Sequence, residues 1–270
     1  MLLTVTNNKI EARQRGIALL VFIIVLALSI SAYYISSVSL VDVQVDNSFN
    51  TRLQLKRAKQ ALLDYAVINS QVEATDAGKI GKLPCPDYNI NNNEGSQDGN
   101  CGGDYTNAVG FFPWRALGID IPKDSSGSCF LYVVSPAYKS SPLAALNPDS
   151  YGQIRIVDAT GAVVQGVTPE ERPVAVIIAP GRALSGQARA FDENSICGKN
   201  YGNVGAYLDS DGVTNNAAVD TVNDNVIDLL VNAYAGSESW ANVSPLNDSM
   251  IAIERHKSVV ALYQTLHPTA

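Results

Sequence analysis

Histidine is almost missing from this chain: His256 and His267 are the only two in 270 residues, and both stand near the C-terminus. There is no H-E-x-x-H or paired-histidine spacing, and none of the four cysteines forms a C-x-x-C pair, which removes the usual ligand patterns of zinc. There is no G-x-S-x-G elbow, the common sequence sign of a serine hydrolase. Basic clusters are scarce as well. Apart from Lys56–Lys59 no Lys/Arg group forms, and the net charge is −7. A nucleic-acid surface needs concentrated cations to neutralise phosphates, so nucleic acid is not expected as a partner. No catalytic constellation stands out, and a non-enzymatic role is expected.

What the chain does have is an apolar run. From Gly16 to Val41 no residue carries a charge, and Lys9, Arg13 and Arg15 come just before. The run is longer than the roughly 20 residues a helix needs to cross a bilayer core. The basic residues ahead of it predict a cytoplasmic N-terminus and an exported remainder, that is, a single-pass membrane protein. Phe49 to Asn69 follows without Gly or Pro, and places Leu55, Ala58, Leu62, Tyr65 and Ala66 at helical spacing. Residues 17 to about 69 therefore read as one long helix, apolar first and amphipathic later.

Gly78 and Gly81 end that helix, and the turn-rich stretch that follows, Lys82 to Trp114, reads as a surface loop. Runs with strand character come next: Cys129–Ser135, Gln153–Val157, Ala162–Gln165 and Val174–Ala179. The middle two form a predicted hairpin, with Gly161 supplying the positive φ of its turn. Asn223–Tyr234 reads as a short helix, and a longer one capped by Asn247 or Asp248 runs to about Leu266. The expected class is α+β: a long N-terminal helix packed on a small, mostly antiparallel sheet, with a C-terminal helix.

Cys85, Cys101, Cys129 and Cys197 all follow the apolar run. Their even number and wide spacing favour disulfides in an oxidising compartment over buried free thiols. Three pairings are possible. Cys85 with Cys101, and Cys129 with Cys197, is favoured because the first bond closes a short Asn/Gly-rich loop.

Three loops invite a ligand. VAVIIAPGRALSGQA puts Gly181 and Gly186 at P-loop spacing, but Gln187 and Ala188 stand where a phosphate cradle needs Lys and Ser/Thr, so a Pro-Gly turn leaving a strand is the better reading. Asp209, Asp211 and Asn215 could share a calcium ion, as could Asp87, Asn89 and Asp98 in the earlier loop. Neither set completes an EF-hand, and ordinary solvated turns explain both.

RQRGIALLVFIIVLALS resembles the leader and N-terminal helix of type IV pilins and type II secretion pseudopilins. The segments LKRAKQALLDYAV, KLPCPD, GFFPWRALGID, LYVVS, VAVIIAPGRALSGQ, NVGAYLD and LNDSMIAI resemble, in the same order, a group of large pilin-like proteins. The resemblance covers residues 13 to about 253 and implies a pilin-like fold. It also implies cleavage by a prepilin peptidase after Gly16, with Ile17 becoming the methylated first residue. Its domain layout is a leader at 1–16, a helix at 17–70 that is transmembrane in the inner membrane and then amphipathic, and a periplasmic head at 71–270. Loss of the leader would bring the charge to −9, because Lys9, Glu11, Arg13 and Arg15 together carry +2. Most pilins carry Glu at the fifth mature position, whereas this chain has Val21. That departure points to a minor pilin or pseudopilin, a structural subunit whose partners are other pilin-like subunits and whose head meets secreted cargo or a surface ligand. Two other readings remain: an exported enzyme or binding protein with an ordinary signal peptide cut near Ala32, and a membrane protein that is never cleaved.

Overall fold

A computed structural model describes residues 4–72, 81–88, 93–101, 107–140, 146, 149–158, 160–210, 214–218, 226–230, 233–234 and 249–254; within the helix, side chains are described for residues 19–33 and 49–68. The chain divides into two compact units, Met1–Phe49 and Asn50–Ala270, each described by itself.

The helix α1 spans Thr4–Val72 and so runs through the boundary. No Gly or Pro interrupts it after Gly16. In the first unit, every described side chain from Leu19 to Tyr33 is exposed. Among the described residues, no helix is long and apolar enough to cross a membrane. The expected single-pass inner-membrane placement is therefore corrected.

The second unit begins with the rest of α1. Leu55, Ala58, Leu62 and Ala66 are buried there, spaced three and four residues apart on one helix face. They join the core cluster that holds Phe130, Tyr132, Val134, Ala175 and Ile177. Two polar contacts fix the register: Lys59 Nζ donates to Ala252 O at 2.7 Å, and Ser125 N donates to Thr51 Oγ1 at 3.0 Å.

Eight strands follow among the described residues: β1 Ala108–Phe111, β2 Leu131–Val134, β3 Ile154–Val157, β4 Val163–Gln165, β5 Ala175–Ala179, β6 Ile227–Leu230, β7 Ala233–Tyr234 and β8 Ser249–Ile253. They make a five-stranded sheet in the order β1-β2-β5-β8-β7 and a three-stranded sheet in the order β4-β3-β6. Pairing is antiparallel except for β3 with β6 and β7 with β8. The β3–β4 turn is held by Asp158 Oδ1, which accepts from Thr160 N and Ala162 N, and by Gly161 at φ +81°.

The expected fold class is corrected by these strands. Ile227–Leu230 and Ser249–Ile253, read from the sequence as parts of helices, are strands, and the head holds two sheets rather than one. The reason lies in β2 and β5, LYVV and AVIIA, which are buried at every position. Such strands need cover on both faces. Tyr132, Val134 and Ile177 face the cluster shared with α1, whereas Leu131, Val133, Val176 and Ile178 meet Ile154 and Ile156 of β3 and Ile227 and Leu229 of β6. Strand β6 alternates buried Ile227 and Leu229 with Asp228, a two-residue period that suits this second layer. Strand β8 fills the sheet beside β5, where main-chain pairing from Ala175↔Ile253 to Ala179↔Ser249 satisfies its amides and carbonyls.

Candidate functional site

The apolar surface of the first unit is the most unusual feature. Eleven large apolar side chains between Leu19 and Tyr33 are exposed, from Leu26 at 48% to Tyr33 at 73%. Ser29 Oγ donates to Val25 O at 2.7 Å and Ser31 Oγ to Ala27 O at 2.8 Å, so even the two serine hydroxyls are turned back onto the helix. Val21 is 52% exposed within this surface. Gly16 and Ile17 lie upstream in α1.

The four cysteines form Cys85–Cys101 and Cys129–Cys197. The second bond draws residues 190–201 against the strands and helps to build a polar cleft of about 360 Å³. One wall is held by Glu94, whose Oε2 accepts from Ile196 N at 3.0 Å and Cys197 N at 3.3 Å. Arg115 crosses to the same segment, donating from Nε to Glu94 O at 2.6 Å while its guanidinium lies 4.7 Å over the Trp114 ring. Gly95 permits that approach. A Cβ built there would fall 2.2 Å from the indole, and its φ of +82° suits glycine. Behind the cleft, Tyr201 OH donates to buried Asp87 and accepts from Gly95 N at 3.1 Å. Burial first, and then the bond to Asp87, pushes the Tyr201 phenol above its ordinary pKa. Its ring packs 4.1 Å from Phe111, which meets Tyr207 edge-on.

No family model, characterised protein or solved structure matches this chain. The functional reading therefore rests on its own residues.

Of the candidate calcium residues, those among the described residues have hydrogen-bond partners within the chain. Asp209 is buried, and its Oδ1 accepts from Gln187 Nε2 at 3.2 Å. Asn215 Oδ1 accepts from Ala217 N at 3.0 Å, and Asp211 lies outside the described residues. In the earlier loop, Asp87 is committed to Gly95 and Tyr201, Asp98 Oδ2 accepts from Tyr88 N, and Asn89 lies outside the described residues. Among the described residues no group of three His, Cys, Asp or Glu side chains gathers. His256 and His267 also lie outside them.

The Pro-Gly turn after β5 already holds an anion, and it belongs to the chain. Asp124 accepts from Gly181 N at 2.7 Å, Ser126 N at 2.8 Å and Ser128 N at 2.9 Å. Burial nonetheless raises its pKa, outweighing those hydrogen bonds. Arg189 then gathers the carbonyls of Gly181, Ala206 and Tyr207, which fixes the turn from the other side.

The cleft is what the sequence reading missed. Its residues come from three segments, near 94, near 115 and from 192 to 201, and no local pattern joins them. The one signal was Cys197, a cysteine set in the polar stretch FDENSICGKNYGN.

Proposed function

We propose that this chain is a structural, non-enzymatic subunit of minor pilin or pseudopilin type. It is processed by a prepilin peptidase and assembled with other pilin-like subunits into a type IV pilus or type II secretion pseudopilus. The observation that carries the reading is the exposed apolar surface from Leu19 to Tyr33. At about 1.5–3 kcal/mol for each large side chain, its eleven residues leave on the order of 20 kcal/mol of burial free energy ungained. Contiguous surface of this kind marks an interaction face, and helices of like character from neighbouring subunits would cover it on all sides. Gly16 followed by Ile17 supports processing at the start of that surface, and Val21 supports a minor rather than a major subunit.

Mass spectrometry of the mature N-terminus in the native host tests this. A chain starting at methylated Ile17 is expected. A start near Tyr33 would identify an ordinary signal peptide, and an intact Met1 an unprocessed protein; either overturns the proposal.

A further inference from the structure

Two aspartates of the head build the same turn. Asp124 and Asp158 each open a D-x-S/T-G-x stretch, DSSGS and DATGA. In both, Oδ1 accepts from the amide and hydroxyl of the residue two along and from the amide four along. For Asp124 these are Ser126 N at 2.8 Å, Ser126 Oγ at 2.6 Å and Ser128 N at 2.9 Å. For Asp158 they are Thr160 N at 2.8 Å, Thr160 Oγ1 at 2.6 Å and Ala162 N at 3.1 Å. Such a turn needs only that one oxygen.

The second oxygen separates them. Asp158 Oδ2 makes no hydrogen bond among the described residues. Asp124 is buried, and its Oδ2 accepts from Gly181 N at 2.7 Å, 57 residues along the chain. Gly181 O in turn accepts from Ser126 Oγ at 2.7 Å and from Arg189 Nη1 at 2.7 Å. Gly181 is thus gripped by an anion on its N–H and a cation on its carbonyl.

Every partner of the Asp124 carboxylate is a donor, so the shell fits the anion. A proton on Oδ2 sets donor against donor at Gly181 and removes the charge that strengthens that bond, while the turn on Oδ1 keeps its own. Gly181 is partly exposed, and its released amide can turn to water instead of staying unpaired. Burial already raises the Asp124 pKa, whereas the hydrogen bonds from Thr160 lower that of Asp158. Asp124 makes no ion pair among the described residues. Of the charged groups on the adjoining segments, Arg189 meets Gly181 O and Ser128 Oγ, Lys123 reaches Ile196 O, and Asp209 accepts from Gln187. Arg52 follows Thr51 on α1, and Arg182 follows Gly181 on the turn.

We propose that Asp124 is an acid-released latch on the loop after β5. Ionised, it holds Gly181 against the 124–128 turn; protonated, it lets go, and residues 181–186 loosen at that end. Their other end stays pinned, because Gln187 Nε2 donates to Leu208 O at 3.0 Å and Arg189 Nη2 to Tyr207 O at 2.6 Å. The head then presents the exposed residues Arg182, Ala183, Ser185 and Gly186 firmly at neutral pH and loosely in acid. This concerns the head alone and does not depend on how Leu19–Tyr33 is covered.

Amide NMR of the full chain in zwitterionic detergent, taken from about pH 7.5 to about pH 3, tests the latch, with the Asp124 carboxyl carbon reporting its proton. As Asp124 is protonated, hydrogen-exchange protection at Gly181, corrected for pH, should fall roughly tenfold or more. The midpoint should lie above 3.8, and Thr160 should respond only below that value. Asp124→Asn keeps an acceptor for the turn but sets an amide donor against Gly181 N. Gly181 should then be unprotected at every pH, with Ser126 and Ser128 still protected. The proposal is overturned if Gly181 stays protected once Asp124 is protonated, if the midpoint lies at or below 3.8, or if Thr160 is lost in the same step. A folded variant that keeps Gly181 protected overturns it as well, and the parent titration decides even without the variant.

Discussion

Lys82 shows how a single residue sets a pH dependence. It is 1% exposed, its Nζ donates to Ala137 O, and burial, followed by the charge of the nearby Lys139, lowers its pKa from 10.5 to about 8. The unfolded chain holds that proton up to about pH 10.4, whereas the folded chain releases it near 8. Between those values the unfolded state binds more protons, so this group makes stability rise with pH. Below about 8 both states are protonated and its contribution is flat. Urea unfolding of the parent and of Lys82→Met should therefore diverge with pH. From about pH 7.5 to about 9.5 the parent should gain about 2 kcal/mol relative to the variant. A constant difference would show that Lys82 does not titrate in that window. The tyrosines act in the opposite direction. Tyr88 and Tyr201 have raised pKa values, so they oppose folding only as pH climbs past their ordinary value near 10.

At the scale of elements, β3 and β6 separate two kinds of interaction. Arg155 and Asp228 face each other in register and make a two-pronged ion pair, Nε to Oδ1 at 2.6 Å and Nη2 to Oδ2 at 2.8 Å. Both side chains are about one-third exposed, so solvent screens the pair. Asp228→Ala should cost about 1 kcal/mol or less. Ile156, one residue along β3, is wholly buried between the sheets, and Ile156→Ala should cost about 2–5 kcal/mol. Denaturant melts of the two variants check this order, and a larger loss from Asp228→Ala would mean that charge outweighs packing between these strands.

The same elements show what the sequence disclosed. The buried face of α1 was legible because Leu55, Ala58, Leu62 and Ala66 repeat at a spacing that local geometry alone produces. The β3–β4 hairpin was legible through Gly161. Ile227–Leu230 and Ser249–Ile253 were misread because short apolar runs behind an Asn or Asp fit a helix start as well as a strand. Their strand character comes from partners far along the chain, Ile154–Val157 and Ala175–Ala179. Glu94, Arg115 and Asp192 were illegible for the same reason, since only the folded loops bring them to one cleft.

For the molecule as a whole, the two disulfides act on loops of different length. Cys85–Cys101 spans 16 residues and Cys129–Cys197 spans 68. On chain-entropy grounds the shorter should add about 3 kcal/mol and the longer about 4.4 kcal/mol. Paired Cys→Ser variants, unfolded in urea without reductant, should follow that order. Equal losses would mean that the longer loop is already restrained in the unfolded chain. The longer bond also ties the cleft wall near Ile196 to Cys129, two residues before β2, so its loss should disturb that wall more than the core between the sheets.

The exposed run from Leu19 to Tyr33 has a further consequence, in the economy of the cell. Eleven uncovered apolar side chains are the kind of surface that quality-control proteases and chaperones recognise in unassembled chains. A copy made without neighbours to cover that surface carries its own mark for removal. Under the proposed assembly, the lifetime of this protein is set by the supply of neighbouring subunits.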